Sequence, residues 1–198
     1  MSNTSRRKFL LQATSVAASF IIVPRYVLGR GYTAPSDMFT IGFIGTGKQA
    51  RGLLNSFKKQ PVRIISGAEV DSLKLAKFKA LAEKAFAESG GNQTMGGFKD
   101  VADYREILAD SAIDGVVIAT PDHWHAKQAI DAAKAKKHIY CEKPLTRTVA
   151  EGRALVNAAE SNKVVLQTGS MQRSWKNFRH ACELVQNGYI GTIKEVLV

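Results

Sequence analysis

The sequence predicts an α/β protein in which helices cover both faces of one doubly wound parallel sheet. Short apolar runs alternate with longer segments of helical periodicity from Asp37 to the end of the 198-residue chain, and such alternation specifies a sheet of this type. The first apolar run passes directly into a Gly-rich turn, Gly45-Thr46-Gly47-Lys48-Gln49-Ala50. A strand, a turn of this composition and a helix in succession are typical of a Rossmann-type fold.

The predicted strands are short apolar runs. They cover Met38–Ile44, Val62–Ala68, Asp114–Ala119, Lys137–Cys141 and Val164–Thr168. Pro61 breaks the chain before the second run, as a turn residue is expected to do. Runs that are apolar throughout indicate parallel strands buried on both faces.

Helical patterns fill the segments between these strands. They cover Lys48–Lys59, Asp71–Glu88, Asp100–Ala109, Ala126–Lys136, Val149–Ser161 and Phe178–Asn187. The first begins at the Gly-rich turn, and Asp71 or Ser72 is expected to cap the second. Gly188 follows the last pattern and is expected to end that helix.

Three units are predicted along the chain. Residues 1–30 are a signal segment, and residues 37–170 are the sheet domain with its helices. Residues 171–198 are expected to start a second α/β domain, because Ile193–Val198 has the pattern of a new strand where the chain stops. The fold is therefore expected to be truncated at the start of this second domain.

Residues 1–30 are predicted to direct export. Ser5-Arg6-Arg7-Lys8-Phe9-Leu10 opens a weakly apolar run that reaches Val23, which is short for a membrane span. Paired arginines followed by Phe-Leu resemble the twin-arginine signal, which the export machinery reads as an address. We expect a periplasmic protein. No small-x-small cleavage box is evident, so an uncleaved signal that tethers the protein to the membrane is the alternative.

The formal net charge of +11 does not indicate a nucleic-acid partner. Five positive charges lie in the first 30 residues, where there is no acidic residue. A second cluster, Lys134, Lys136 and Lys137, is expected to be solvated at a helix end, where the dipole favours cations. No aromatic residues interleave these lysines for stacking on bases. Cys141 and Cys182 are expected to be buried free thiols, without the spacing of a zinc site.

The Gly-rich turn is predicted to hold the diphosphate of a dinucleotide. Gly45 permits the tight turn, Gly47 lets the backbone approach the diphosphate, and Ala50 is small enough for helix–strand contact. Gly52, further along the same helix, is expected to give additional room. Free amides and the dipole at the helix start favour phosphate groups. The predicted cofactor contacts of this turn are Gly45, Thr46, Gly47, Lys48, Gln49 and Ala50.

A carboxylate about 20 residues further on completes the predicted cofactor site. The candidates are Glu69, at the end of the second strand, and Asp71 just beyond it. Either can accept hydrogen bonds from both ribose hydroxyls and would repel a 2′-phosphate, so NAD is favoured over NADP. NADP stays an alternative cofactor because the polar residues Ser66, Ser72 and Lys74 lie near these carboxylates in the sequence. For Asp71, capping of the following helix is an equal alternative.

The third strand is predicted to end in a second cofactor-contacting turn, formed by Thr120 and Pro121. Two histidines follow, His123 and His125, at a spacing that directs them to different faces of a helix start. No metal site is therefore predicted. His125 is expected to pack or form hydrogen bonds near the nicotinamide end of the cofactor, and Trp124 is expected to be a packing residue.

Glu142-Lys143-Pro144, at the end of the next strand, supports the catalytic hypothesis. Burial in a closed cleft would favour the neutral amine of Lys143, which could bind a substrate hydroxyl and assist proton removal during hydride transfer. Glu142 is expected to orient this lysine or to contact the nicotinamide ribose. A cis bond is expected before Pro144. A surface Lys-Pro turn is the alternative interpretation.

Together, Gly45-x-Gly47, Ala119-Thr120-Pro121-x-x-x-His125 and Glu142-Lys143-Pro144 resemble the Gfo/Idh/MocA family, the glucose–fructose oxidoreductase and inositol dehydrogenase group. The resemblance runs from about Met38 to the end of the chain. It implies that NAD or NADP binds in an N-terminal Rossmann domain, that the substrate is a sugar or cyclitol, and that Lys143 is catalytic.

Gly169-Ser170-Met171-Gln172-Arg173 resembles the segment that leads into the family's second domain, which implies that Gln172 and Arg173 face substrate. Members of the family continue into an α/β substrate domain that supplies a partner for the lysine and often the oligomer interface. Catalysis is therefore expected to need more than these 198 residues, and a homo-oligomer is expected only in a full-length form.

The leading functional hypothesis is an exported NAD-dependent oxidoreductase of a sugar or cyclitol, represented here mainly by its cofactor domain. The first alternative is an NAD-dependent glycosidase of the same fold, which oxidises and re-reduces its sugar transiently. The second alternative is an inactive fragment that binds a dinucleotide and does no chemistry.

Overall fold

A six-stranded parallel sheet forms the centre of the computed structural model, which describes residues 38–88 and 97–197. The strands are β1 (Phe39–Ile44), β2 (Val62–Ala68), β3 (Lys99–Val101), β4 (Gly115–Ile118), β5 (His138–Glu142) and β6 (Leu166–Gly169). Their order is β3-β2-β1-β4-β5-β6 and every pairing is parallel. This order confirms the predicted doubly wound sheet and reverses direction between β1 and β4, where open α/β sheets bind ligands.

Five helices connect successive strands and pack on the sheet. They are α1 (Lys48–Phe57), α2 (Ser72–Glu88), α3 (Tyr104–Ala109), α4 (Asp122–Lys134) and α5 (Val149–Asn162). A 3₁₀ turn at Met171–Ser174 and a sixth helix, α6 (Lys176–Gln186), follow β6. The start of α5 is a capping box in which Thr148 and Glu151 bind each other's backbone amides, satisfying two amides that a helix start otherwise leaves free.

Two apolar clusters lie on opposite faces of the sheet. Val117 of β4 points into the cluster formed with α1 and α2, whereas its neighbours Val116 and Ile118 point into the cluster formed with α4 and α5. Phe43 and Phe78 anchor the first cluster, fully buried with ring centroids 4.9 Å apart. Because successive strand residues face opposite sides, a strand that is buried on both faces needs the uninterrupted apolar run found in the sequence.

The largest difference from the predicted elements lies around β3. The sequence predicts a helix from Asp100, but Lys99–Val101 pairs with β2 and α3 begins only at Tyr104. Asp103 caps α3 by accepting a hydrogen bond from the amide of Arg105. A three-residue edge strand with two exposed polar residues is too short to show the two-residue alternation of a strand in its sequence. It is recognised only by its pairing with β2.

Two further elements depart from the prediction by more than two residues. Helix α4 begins at Asp122 rather than at Ala126, because a carboxylate in the first turn is favoured by the helix dipole. The strand predicted from Ile193 is not formed: within the described part of the chain, residues 193–197 pair with no strand. A strand is stable only with a hydrogen-bonded neighbour, so an apolar run alone does not establish one.

Two side chains differ from the expected burial. Lys137 is only 8% exposed and its Nζ donates 2.7 Å hydrogen bonds to the carbonyl oxygens of Asp110 and Ile113, so it is not solvated as predicted. Cys141 is buried as expected, but Cys182 is exposed, and neither is in a disulfide. The expectation fails for Cys182 because α6 buries none of its side chains against the described residues.

The predicted signal segment, residues 1–30, lies outside the described residues. Within 38–88 and 97–197, no helix is both long enough and apolar enough to cross a bilayer. The predicted boundary between a sheet domain ending at residue 170 and a second domain from residue 171 stays a prediction.

Candidate active site

A cleft of about 860 Å³ opens along the carboxyl ends of β1, β2 and β4. It lies at the point where the strand order reverses, which is the expected ligand position in a doubly wound sheet. Its walls include residues of the Gly-rich turn, of the β2 end, of the β3–α3 loop and of the β4 end. The predicted cofactor residues that line it are Gly45, Gly47, Lys48, Gln49, Glu69, Thr120 and Pro121.

The Gly-rich turn requires glycine at one position and leaves open space at the other. Gly45 has φ +84°, and a Cβ there would lie 2.8 Å from the backbone nitrogen of Thr120. Apart from its two chain neighbours, no described residue has an atom within 4 Å of a Cβ built on Gly47, so a ligand has free access to the backbone. Ala50 is fully buried, as helix–strand contact requires. Gly52 is exposed and a Cβ there would also meet no described atom within 4 Å, so the additional room expected there has no packing role.

The start of α1 fits a diphosphate. No side chain of the described residues caps this ten-residue helix, and its first turn holds no acidic residue. Its free amides and the positive end of its dipole therefore face the cleft, as at phosphate-binding helix starts. Thr46 is fully buried and does not line the cleft; its hydroxyl finds no hydrogen-bond partner in the described part of the chain.

Glu69 is the predicted carboxylate that faces the cleft. Its Oε2 accepts a 3.1 Å hydrogen bond from the amide of Thr46, and its Oε1 accepts from the amides of Val70 at 3.0 Å and Asp71 at 3.3 Å. The carboxylate thus ties the end of β2 to the Gly-rich turn. In this position it can accept hydrogen bonds from ribose hydroxyls of a ligand whose phosphates lie at α1.

Asp71 is a helix cap in this structure. Its Oδ1 accepts from the amides of Leu73 at 3.0 Å and Lys74 at 3.1 Å, and its Oδ2 lies 3.3 Å from the Lys74 ammonium. The Lys74 backbone hydrogen bond is the main cause that lowers the pKa of Asp71. Asp71 does not line the cleft, so capping, the alternative left open above, is the role that its contacts show.

The end of β4 brings Thr120, Pro121 and Trp124 to the cleft wall. Trp124 is 41% exposed, so it forms part of this wall rather than serving only as a packing residue. The Thr120 hydroxyl donates a 2.7 Å hydrogen bond to Oε1 of Gln128, which also lines the cleft. Gln128 is not among the predicted site residues, because it lies within α4, eight positions after Thr120, and belongs to no motif.

His125 is 2% exposed and does not line the cleft. Its ring lies between the carbonyl oxygens of Thr120 and Pro144, which agrees with hydrogen bonding near the predicted site and not with direct contact to a ligand there. His123 is exposed, on another side of the helix start. Over residues 38–88 and 97–197, no three His, Cys, Asp or Glu side chains are grouped as metal ligands would be.

Glu142 is a buried carboxylate that links the start of α1 to the end of β5. It is 4% exposed; its Oε1 accepts 2.9 Å from the side-chain amide of Gln49, and its Oε2 accepts 3.2 Å from the backbone amide of Lys143. The Gln49 side chain therefore reaches across the Gly-rich turn to the end of β5. Of the two roles expected for Glu142, orientation of the lysine backbone is the one that these contacts show.

Tyr140 and Gly169 complete the surroundings of Glu142, and neither is among the predicted site residues. Burial, and then the neighbouring carboxylate of Glu142, raise the pKa of Tyr140 to about 12. A Cβ on Gly169 would lie 2.9 Å from the Glu142 carboxyl group, so any other residue there would displace the end of this side chain. Gly169 ends β6 directly opposite Glu142 in the parallel register, a pairing that no pattern within either segment specifies.

Lys143 follows the last residue of β5 and is exposed. The Lys143–Pro144 bond is cis, as expected. The expected enclosure of the amine is not seen, and Lys143 does not line the 860 Å³ cleft. The reason is its place beyond the strand end, outside the packed layers of the sheet.

Gln172 and Arg173 lie on the exposed 3₁₀ turn after β6. Neither lines the 860 Å³ cleft. Arg173 instead lines a second cleft of about 670 Å³, together with Tyr140 and Trp175. The described residues therefore do not bring these two predicted substrate residues together with the Gly-rich turn.

Comparison with known proteins places these features in a family. Residues 39–170 match the Gfo/Idh/MocA oxidoreductase family, NAD-binding Rossmann fold. A myo-inositol 2-dehydrogenase of Thermotoga maritima is 32% identical over 127 residues, covering 64% of this chain and 34% of the relative. A glycosyl hydrolase family 109 protein of Shewanella sp. strain ANA-3 is 36% identical over 125 residues, covering 63% and 26%.

A solved structure shares the fold at low sequence identity. The scyllo-inositol dehydrogenase from Lactobacillus casei, crystallised with NAD(H) and scyllo-inositol, superimposes with a TM-score of 0.63 and 23% identity, over 79% of this chain and 43% of that one. The chain spans between 25% and 38% of the length of the curated relatives it matches. Since the family match covers more than half of the residues and the motif resemblance agrees with it, the chain belongs to the Gfo/Idh/MocA oxidoreductase family with an NAD-binding Rossmann fold.

Proposed function

We propose that this chain is the cofactor-binding part of an oxidoreductase that transfers a hydride between NAD and a sugar or cyclitol. The observation that carries the proposal is a single cleft that combines the uncapped start of α1 with the Glu69 carboxylate. The proposal is supported by the family and by the dehydrogenase activities named for the relatives of Thermotoga maritima and Lactobacillus casei.

Each end of the cleft has a proposed part in cofactor binding. The amides at Gly47 and the start of α1 hold the diphosphate, and Glu69 accepts hydrogen bonds from the adenosine ribose. The Glu69 carboxylate would repel a 2′-phosphate, and the Lys74 ammonium that could offset this repulsion is paired with Asp71. NAD is therefore the proposed cofactor, and when bound it supplies the hydride acceptor.

Lys143 is the proposed proton acceptor. Its Nζ takes the proton from the substrate hydroxyl whose carbon loses the hydride, and an amine in this role contributes about 10²–10⁴-fold to rate. Glu142 positions it by holding its backbone amide. Gln172 and Arg173 stay proposed substrate contacts because their 3₁₀ turn directly follows β6, whose last residue faces Glu142.

The Shewanella relative favours a second candidate, an NAD-dependent glycosidase. In that reaction the same lysine and cofactor would oxidise the sugar, allow elimination of the leaving group, and return the hydride. Net accumulation of NADH during turnover indicates the dehydrogenase, and turnover with no net NADH indicates the glycosidase. A chain that binds NAD and acts on no sugar in a panel would be the inactive fragment.

The substitution Lys143→Ala tests the proposal. Calorimetry should show NAD uptake by this chain and by the variant alike, because Lys143 does not line the cleft. In a form of the protein that turns over a sugar, the variant should lose about 100-fold or more in turnover. Lys176→Ala, a change at another exposed lysine, is the matched control and should leave both unchanged. Failure of the unmodified chain to bind either NAD or NADP would refute the proposal.

We further propose that residues 1–30 direct the protein to the twin-arginine export machinery and hence to the periplasm. The support is the sequence Ser5-Arg6-Arg7-Lys8-Phe9-Leu10, which resembles the signal that this machinery reads. Folded export suits a chain that closes around a cofactor before leaving the cytoplasm. Fractionation of cells that express a reporter fused to residues 1–30 tests it, and a reporter that stays cytoplasmic counts against it. A homo-oligomer is proposed only for a longer form of the protein.

A further inference from the structure

His125 joins the turns that follow two neighbouring strands. It lies in the first turn of α4 and is 2% exposed. Its Nδ1 lies 2.7 Å from the carbonyl oxygen of Pro144, after β5, and its Nε2 lies 2.8 Å from the carbonyl oxygen of Thr120, after β4. One ring therefore spans the gap between the cofactor-facing turn and the turn that carries Lys143.

The two contacts determine how many hydrogens the ring carries. Both distances fall in the range of N–H···O hydrogen bonds. A carbonyl oxygen only accepts, so each ring nitrogen needs its own hydrogen to donate. A neutral imidazole has one N–H, and its other nitrogen would direct a lone pair at a carbonyl lone pair at the same short distance. Only the doubly protonated ring satisfies both contacts.

We infer that His125 is held as a buried imidazolium that clamps the Thr120 and Pro144 carbonyls together and so positions Lys143. His125 is a positioning residue, because it does not line the cleft and acts through the backbone on either side. The backbone amide of Lys143 is held by the carboxylate of Glu142. The lysine turn is thus fixed by α4 through the ring and by the sheet through the carboxylate. The role assigned to Lys143 rests on the proposed function.

The surroundings of His125 contain opposing influences on a positive charge. The start of α4 is the positive end of the helix dipole, which disfavours a cation, whereas Asp122 in the same turn carries a carboxylate. Burial of an imidazolium also costs hydration, and hydrogen bonds at both N–H groups are needed to offset it. The two carbonyl oxygens supply one acceptor for each N–H, which is the full requirement of the ring.

Nitrogen NMR of this chain with ¹⁵N-labelled histidine tests the protonation state directly. At neutral pH, both ring nitrogens of His125 should appear at the chemical shifts of protonated nitrogen, each with a slowly exchanging ring hydrogen. His123, whose side chain is 53% exposed, is the matched control and should show no such slowly exchanging hydrogens. A non-protonated nitrogen in the His125 ring would overturn the inference.

Assignment of these signals does not depend on one variant. His125→Asn should remove the pair of slowly exchanging signals. If that variant does not fold, the changes His123→Asn, His138→Asn and His180→Asn assign the remaining ring by elimination, since the chain holds four histidines.

Hydrogen exchange tests whether His125 holds the Lys143 turn in place, separately from whether its ring is charged. In His125→Asn, both side-chain N–H groups sit on one nitrogen and cannot span the two carbonyls as the two ring nitrogens do. The Lys143 amide should therefore exchange about tenfold faster than in the unmodified chain, while the Val117 amide in the middle of β4 keeps its rate. Equal protection of Lys143 in both chains would overturn the positioning role. NAD calorimetry on the same samples tests the proposed function separately. If the chain bound no NAD while the His125 ring carried two hydrogens, the cofactor proposal would be wrong and the inference about His125 would still hold.

Discussion

The two glycines of the Gly-rich turn should respond in opposite ways to the same substitution. Gly45 has φ +84°, and a methyl group there would lie 2.8 Å from the backbone nitrogen and from Cγ2 of Thr120. The left-handed conformation costs an alanine about 1–2 kcal/mol, and overpacking against backbone costs about 1–3 kcal/mol. Gly45→Ala should therefore lower the free energy of unfolding by about 2–5 kcal/mol.

Gly47 has neither constraint. Its φ is −66°, and a Cβ there meets no described atom within 4 Å. Gly47→Ala should change the free energy of unfolding by no more than about 0.5 kcal/mol. Its methyl group would instead occupy the space through which a diphosphate approaches the backbone, so affinity for NAD should fall by about tenfold or more, equivalent to about 1.4 kcal/mol.

Thermal or urea unfolding followed by circular dichroism, together with NAD calorimetry, separates the two effects. A loss of about 3 kcal/mol lowers the melting temperature of a chain of this size by about 6–12 °C. Wild-type melting of Gly45→Ala would refute the steric account of the turn. Wild-type NAD affinity in Gly47→Ala would refute the assignment of this turn to the diphosphate.

Two further measurements concern Tyr140, which is partly buried, and Cys141, which is buried, near the end of β5. Because burial and then Glu142 raise the pKa of Tyr140 from 10.0 to about 12, the folded chain binds this proton more tightly; the resulting stabilisation is complete below pH 10 and is lost as the pH rises towards 12. Glu142→Gln should lower the pKa of Tyr140 yet leave it above 10, because burial is the larger cause. Titration of tyrosine absorbance, with Tyr140→Phe as the reference, measures this pKa. An unchanged pKa in Glu142→Gln would contradict the influence of the Glu142 carboxylate on Tyr140. Burial also raises the pKa of the Cys141 thiol to about 12, whereas Cys182 is exposed, so a thiol reagent at neutral pH should modify only Cys182 in the native chain. Rapid modification of Cys141 before denaturation would be inconsistent with its burial.

The sheet was predictable because its evidence is local. A few residues are enough to predict a strand from an apolar run such as Gly115–Ile118, or a tight turn from the glycines after β1. The parallel arrangement of the strands then follows from their alternation with helices. The edge strand β3 was not predictable, because Lys99–Val101 owes its conformation to pairing with β2 and not to its own side chains.

The candidate site was predictable only where a motif carries its own geometry. The sequence identifies Glu69 and the Gly-rich turn from spacing, and the structure brings them into contact at 3.1 Å. The contact of Gln49 with Glu142 joins residues 93 positions apart, and no pattern within either segment specifies it. The same holds for the ring of His125, whose two acceptors lie on separate turns.

The buried ammonium of Lys137 changes how the charge of this chain should be understood. Of the 28 lysines and arginines that give the formal charge of +11, this one is directed inward and its charge is met by two carbonyl dipoles. The apparent trio at the end of α4 thus presents only Lys134 and Lys136 to solvent ions. Lys137 therefore cannot form a direct ion pair with a polyanion that approaches this corner.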